Sequence, residues 1–394
     1  MPRSISPNAR IYVAGHQDLV GSAVIRALNK CGQTNLLTAT REQLDLRDQA
    51  AVNSWFKVNH PEYVFLVAGT VGGIWANANR PAEFIYDNMM IHTNVVHAAY
   101  LYKVNKLLYL GSSCIYPREC PQPIREEYLL GSYLEPTSEP YAIAKIAGIR
   151  LCQAYRKQYG CNFISAIPPN LYGPNDNFDL ESSHVLPALI RKFHLAKLAS
   201  QQDWAAIRQD EILFGPIPED LRQSLGISNK IDKNDRPNKP NDQADQINPI
   251  NPRTQSFTHA ERPRPDVVTI WGTGRARREF LHVDDLADAS VFLMNHYEDS
   301  EHINMGAGKD LTIKELAETV KSIVFPEAKL IFDTNKPDGS PQKLLDLTKL
   351  ESRGWKPKIN FFEGIKNTYN WYQSQSKSKV AKEMTPNPSK RDWK

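Results

Sequence analysis

Tyr141 and Lys145 stand four residues apart in the stretch Glu139-Pro140-Tyr141-Ala142-Ile143-Ala144-Lys145. On a helix, residues i and i+4 share a face, one turn apart. An ammonium beside a phenol favours the phenolate and draws a pKa of about 10 towards the range of a working general acid or base. The plainer reading is a helix whose tyrosine packs and whose lysine is solvated, so the pair acquires chemical meaning only from its surroundings. Thr137 and Ser138 are placed to cap such a helix and Pro140 suits its first turn. Ile143, Ile146, Ala147 and Leu151 predict its apolar face, as far as Gly160.

The elements that position this pair alternate. Ile11-Tyr12-Val13-Ala14 reads as a strand ending in Gly15, and Leu19 to Leu28 as a helix. Leu36 to Ala39 predicts a second strand, Ala50 to Val58 a helix, and Tyr63 to Ala68 an apolar strand buried on both faces. A long helix from about Pro81 to Tyr102 leads to the strand Leu107 to Leu110, and Phe163 to Ile167 follows the Tyr141 helix. This order predicts an α/β, Rossmann-type doubly wound parallel sheet over residues 8–174, with ligands at the carboxyl ends of its strands. A smaller C-terminal region is expected over 175–372, some of its strands and helices returning to the first domain. Residues 198–265, dense in Asn, Asp, Lys and Pro between Asn229 and Pro252, predict a largely disordered insertion. Order is expected to resume at Val267 to Gly272, with helices near Asp284 to Met294 and Thr312 to Ile323. Residues 373–394 read as a flexible tail.

Gly15-His16-Gln17-Asp18-Leu19-Val20-Gly21 lies where a dinucleotide fold puts its glycine turn. Gly15 suits the tight turn, Gly21 lets helix and strand approach, and the helix N-terminus offers free N–H groups to a pyrophosphate. Asp18 either faces that pyrophosphate, at a cost of roughly 1 to 4 kcal/mol at about 4 Å, or turns outward and caps the helix, which costs the site little. The second strand runs into Thr38-Ala39-Thr40-Arg41 and no acidic residue follows it directly. Arg41 therefore suits a 2′-phosphate, or else is a surface arginine, and Asp45-Leu46 can lie beside an adenine.

The 394 residues, 41% hydrophobic and 23% charged, allow a sizeable core. A net charge of +4 argues against a nucleic-acid binder. The N-terminus has no apolar signal-peptide core, and no stretch approaches the roughly 18 apolar residues of a membrane span, so a cytoplasmic protein is expected. Cys31, Cys114, Cys120, Cys152 and Cys161 form neither a paired framework nor a Cys-x-x-Cys metal spacing. They are expected reduced and mostly buried, with no metal site.

Leu110-Gly111-Ser112-Ser113-Cys114-Ile115-Tyr116-Pro117 follows the fourth strand, placing Ser112 and Cys114 near Tyr141 and Lys145. A glycine turn, a serine after the fourth strand and Tyr-x-x-x-Lys on the next helix resemble the extended short-chain dehydrogenases that act on nucleotide sugars. Val71-Gly72-Gly73-Ile74, the Ser112 and Tyr141 stretches, Asn170-Leu171-Tyr172-Gly173-Pro174, Ser183-His184-Val185, Arg278 to Asp285 and Lys336-Pro337-Asp338-Gly339 narrow the resemblance to the GDP-L-fucose synthase family, from about Arg10 to Tyr372.

The resemblance implies a homodimer that inverts carbons 3 and 5 of GDP-4-keto-6-deoxy-D-mannose and reduces carbon 4 with NADPH. It implies that Tyr141 protonates the carbonyl oxygen, Lys145 tunes Tyr141 and holds the nicotinamide ribose, Ser112 hydrogen-bonds the carbonyl, and Cys114 and His184 are the epimerising base and acid. It places Leu110, Gly111, Ser112, Ser113, Lys145, Asn170, Leu171 and His184 beside the cofactor with the glycine turn and Arg41, and Lys192, Trp271, Arg278 and Asp338 on the GDP-sugar. Gln17, Asp18, Ala39 and Pro169 depart from the family pattern, all on the cofactor side. Two rivals share the motifs: a nucleotide-sugar 4-epimerase or 4,6-dehydratase, against which Cys114 and His184 speak, and a non-catalytic sensor, which has no need of a tuned phenol.

Overall fold

The computed structural model describes residues 5–227, 263–336 and 338–383. In chain order the strands are β1 (Ile11–Ala14), β2 (Leu36–Leu37), β3 (Tyr63–Leu66), β4 (Lys106–Leu110), β5 (Phe163–Ile167), β6 (Asn170–Tyr172), β7 (Val267–Trp271), β8 (Arg277–His282), β9 (Ile303–Asn304), β10 (Asp310–Thr312), β11 (Lys329–Asp333) and β12 (Gln342–Lys343). The helices are α1 (Leu19–Lys30), α2 (Gln49–Asn59), α3 (Ile74–Asn79), α4 (Pro81–Leu101), α5 (Glu139–Tyr159), α6 (Val185–Ser200), α7 (Trp204–Phe214), α8 (Glu219–Leu225), α9 (Val283–His296), α10 (Ile313–Val324), α11 (Thr348–Glu351) and α12 (Phe361–Glu383).

The expected parallel sheet is present, in the order β2-β1-β3-β4-β5-β9. β1, β4 and β5 are buried along their whole length, as continuous apolar strands covered on both faces must be. From β1 the chain crosses to β2 on one side and then to β3 on the other, so a crevice opens between the carboxyl ends of β1 and β3. The C-terminal half returns to the sheet through β9 and through α9, which packs on α1. The rest of that half builds its own core from α6, α7, α10 and α12 over two small sheets, β10-β8-β12 with β6 on β8, and β11-β7.

Four expectations are corrected here. Residues 198–227 are not disordered: α7 and α8 pack into the C-terminal core through Ile207, Ile217, Leu225 and Ile227. The fully buried Arg191 donates to Asp210 at 2.8 Å and to the carbonyls of Phe178, Phe214 and Gly215, and Tyr372 donates to the other oxygen of Asp210. This polar knot ties α6, α7 and α12 together. The polar middle of the stretch, residues 228–262, lies outside the described residues. The expected tail instead continues α12 to Glu383, and only residues 384–394 of it lie outside the described residues. On α5, Ile143 points to solvent, and the buried side is Tyr141, Ala142, Ala144, Lys145, Ile146, Ile149 and Cys152. Of the five unpaired cysteines only Cys152 is buried.

Candidate active site

The glycine turn is built as its residue types demand. Gly15 has φ +90°, and a Cβ there would meet the Ala68 backbone at 2.9 Å; a Cβ on Gly21 would lie 1.9 Å from the Gly15 carbonyl oxygen. Only glycine tolerates both contacts. Gly15, His16, Gln17 and Asp18 line a cleft of about 240 Å³ whose other walls include Ala39, Arg41, Leu44 to Arg47, Ala68, Gly69, Thr70, Asp87 and Ile91. Leu19 and Val20 instead start α1 and pack on the core behind the turn. Asp18 occupies the N-cap position of α1, yet its side chain makes no capping hydrogen bond. Its carboxyl belongs to the cleft wall, where crowding by protein raises its pKa, partly offset by His16. The capping alternative is thereby overturned.

Arg41 reaches the cleft without an ion pair among the described residues, whereas Arg47, unnoticed in the sequence, is bound to Asp45 and Asp87. Asp87 is forty residues away on α4, so nothing local announces that contact. Gly69 joins the cleft to the catalytic end, since a Cβ on it would lie 3.6 Å from Lys145 Nζ. These features fit a dinucleotide: a glycine cradle with no room for side chains, an unpaired arginine at the far end and a lysine at the near end.

At that near end, α5 starts with Pro140 in its first turn and closes at Gly160, which is left-handed, with φ 70°. Ser138 is its N-cap residue without a side-chain cap bond. Tyr141 and Lys145 face inward. The Ser112 side chain lies close enough to Tyr141 to favour its phenolate slightly, and Ser112 Oγ accepts from the Cys114 amide at 3.3 Å. Lys145 Nζ donates to the Leu110 carbonyl at 2.9 Å and lies 5.8 Å from the Tyr141 ring centroid. The expected direction of tuning is reversed: burial, reinforced by Cys114, raises the Tyr141 phenol well above its ordinary pKa, while burial lowers Lys145 to about 7. Desolvation penalises both charged forms and outweighs attraction across that distance.

Cys114 is half-buried against Tyr141, Ala76 and Phe84. Its loop is pinned to the end of β5, Gly111 N–H donating to Ala166 O and Ser113 N–H to Pro168 O. Asn170 and Leu171 follow directly, but the Asn170 amide is occupied by the Glu279 carbonyl at 3.0 Å and thus holds β6 to β8. His184 is the N-cap residue of α6 and reaches solvent, while the protein around it lowers its pKa. The Gly72-Gly73 turn holds the segment just before His184: Gly73 N–H donates to Ser182 O at 2.9 Å, Asn77 Nδ2 holds both glycine carbonyls, and a Cβ on Gly73 would meet Ser183 O at 2.5 Å.

The four residues expected on the sugar nucleotide form one connected patch. Lys192 Nζ donates to Thr269 O on β7, and Trp271, at the end of that strand, is half exposed with Lys336 Nζ 5.1 Å from its ring centroid. Asp338 accepts from the Thr273 amide and hydroxyl, each at 2.8 Å, so its carboxylate secures the turn after β7. Arg278 donates to the Asp338 carbonyl at 3.5 Å; burial lowers its pKa, and Cys114 and Glu135 lie within electrostatic reach.

The sequence profile of the NAD dependent epimerase/dehydratase family matches residues 11–215 and 251–306, which takes in the glycine turn, Ser112, Tyr141, Lys145 and His184. The chain belongs to that family. Within the NAD dependent epimerase/dehydratase family, it is 47% identical to GDP-L-fucose synthase 1 of Arabidopsis thaliana over 93% of each chain. Among solved structures it resembles a GDP-6-OMe-4-keto-L-xylo-heptose reductase from C. jejuni, with a TM-score of 0.80 and 39% identity over 95% of this chain and all of the other. It also resembles the GDP-mannoheptose C4 reductase MlghC from Campylobacter jejuni with NADP bound, with a TM-score of 0.74 and 38% identity over 94% and 100%. No helix among the described residues is long and apolar enough to cross a membrane.

Proposed function

We propose that this chain converts GDP-4-keto-6-deoxy-D-mannose to GDP-L-fucose, inverting carbons 3 and 5 and reducing carbon 4 with NADPH. The observation that carries the reading is Cys114, packed against the cluster that holds Tyr141 and within electrostatic reach of Arg278 of the sugar-nucleotide patch. A plain ketoreductase needs Ser112, Tyr141 and Lys145; it has no use for a thiol there. The 4-keto group acidifies the protons on both neighbouring carbons. Cys114, as thiolate, takes such a proton, and His184 returns one from the other face. The lowered pKa of His184 makes its protonated form the stronger acid.

NADPH, when bound, supplies hydride to carbon 4. Tyr141 gives its proton to the carbonyl oxygen while Ser112 hydrogen-bonds it, and a phenol whose pKa is raised by burial keeps that proton until the oxygen gains charge. Gly15, Gly21, Arg41 and Lys145 hold the dinucleotide, and Lys192, Trp271 and Arg278 the GDP half of the substrate, with Asp338 keeping their turn in place.

The reading includes a cytoplasmic homodimer. Tyr86 and Met89 of α4 and Ile143 of α5 are exposed apolar side chains on two helices that pack together, and a second copy would cover them. Incubation with GDP-4-keto-6-deoxy-D-mannose and NADPH, with the product identified by mass and NMR, tests the activity. GDP-L-fucose is expected. Reduced sugar of unchanged ring configuration would place the chain with GDP-sugar reductases instead, and no consumption of NADPH would leave a binding protein.

A further inference from the structure

Arg47 stands on the cleft wall between two carboxylates. Its Nε and Nη2 donate to Asp45 at 3.0 and 2.7 Å, its Nη1 donates to Asp87 at 3.1 Å, and the other Asp87 oxygen accepts from Thr70 at 3.2 Å. The loop after β2, the loop after β3 and α4 are thereby joined across the outer end of the cleft. All five N–H groups of a guanidinium lie in its plane, so bonds to Asp45 and Asp87 use its edges and leave its faces open. Its side chain is 34% exposed, so a face can be reached from the cleft, which Leu44, Leu46 and Ile91 also line. Two carboxylates more than neutralise one guanidinium, which makes Arg47 a poor ligand for phosphate. Arg41, with no ion pair among the described residues, is the freer cation.

We infer that Arg47 is the platform on which the adenine of the dinucleotide stacks, with its plane set by Asp45 and Asp87, and that Arg41 alone reads the 2′-phosphate. Guanidinium planes stack well on bases, and such contacts are indifferent to charge on the ribose. The inference rests on the NADPH reading above and assigns it a division of labour. Affinity for the adenosine half comes from Arg47, and preference between NADPH and NADH comes from Arg41.

Fluorescence titrations with NADPH, NADH and reduced nicotinamide mononucleotide test this on the wild type, Arg47→Ala, Arg47→Lys and Arg41→Ala. Arg47→Ala is expected to weaken NADPH and NADH equally, by about tenfold, and to leave the mononucleotide, which lacks adenine, unchanged. Arg47→Lys keeps the charge between Asp45 and Asp87 but not the plane, and is expected to fall with Arg47→Ala; its unfolding midpoint shows whether the fold is intact. Arg41→Ala is expected to weaken NADPH alone. Unchanged dinucleotide binding by both Arg47 variants, or a loss confined to NADPH, would overturn the inference. Failure of the wild type to bind either dinucleotide would instead overturn the cofactor reading on which it stands.

Discussion

Lys145 Nζ and the Leu110 carbonyl, 2.9 Å apart, join the Tyr141 helix to the strand end that carries Ser112. The ammonium is buried in making this bond, and burial draws its pKa down to about 7. In the unfolded chain a lysine holds its proton to about pH 10.4. Between those values the unfolded state binds more protons than the folded one, so stability rises with pH through that window and levels off above it.

Lys145→Met removes this titration. Denaturant unfolding of the two proteins from pH 7 to pH 10 is expected to show the wild type gaining on the variant by on the order of a few kcal/mol. A difference that stays constant across that range would mean that Lys145 is fully charged in the fold.

Cys114 and Tyr141 are assigned separate steps, and heavy water separates them. Cys114→Ser is expected to bind NADPH and the GDP-sugar but to lose deuterium wash-in at carbons 3 and 5, because a hydroxyl ionises far less readily than a thiol. Tyr141→Phe is expected to keep the wash-in and lose reduction by roughly 10²- to 10⁴-fold. If the phenylalanine variant also stopped exchanging, the two steps would share one acid–base group.

Asp18 sits at the N-cap of α1 without capping it. Asp18→Asn is therefore expected to leave the unfolding midpoint unchanged and to tighten NADPH binding about fivefold, the effect of removing a charge repulsion of about 1 kcal/mol at about 4 Å in water. Thermal unfolding reads the first arm and calorimetric titration with NADPH the second, and weaker binding would show that the carboxylate serves the site.

Arg191 is fully buried with Asp210, and Tyr372 shares that carboxylate. Arg191→Met strands a buried carboxylate and three carbonyls, and is expected to cost about 3 to 5 kcal/mol of stability. The same knot makes α7 indispensable, so replacement of residues 200–262 by a linker is expected to unfold the C-terminal core. Urea unfolding with NADPH binding as a second readout checks both changes.

Local patterns in the sequence determined what short-range physics controls. Strand–helix alternation led to the parallel sheet, Gly15 and Gly21 to the turn at its crevice, and Pro140 and Gly160 to the ends of α5. The motifs around Ser112, Cys114, Tyr141 and Lys145 named the chemistry, because their spacing along one strand end and one helix face is itself the geometry. Only the tertiary structure decided the rest. Polar composition cannot show that Asp210 meets Arg191 and Tyr372, since those contacts cross up to 162 residues of chain. Nor can a Tyr-x-x-x-Lys pattern show which way the phenol is tuned: that depends on how completely the fold excludes water from Tyr141 and Lys145, and desolvation is a property of the packed core. Arg47 and Asp87 likewise become partners only when the segment leading into α2 is laid against α4, and Asp338 proves to secure a turn only once β7 has placed Thr273 beside it.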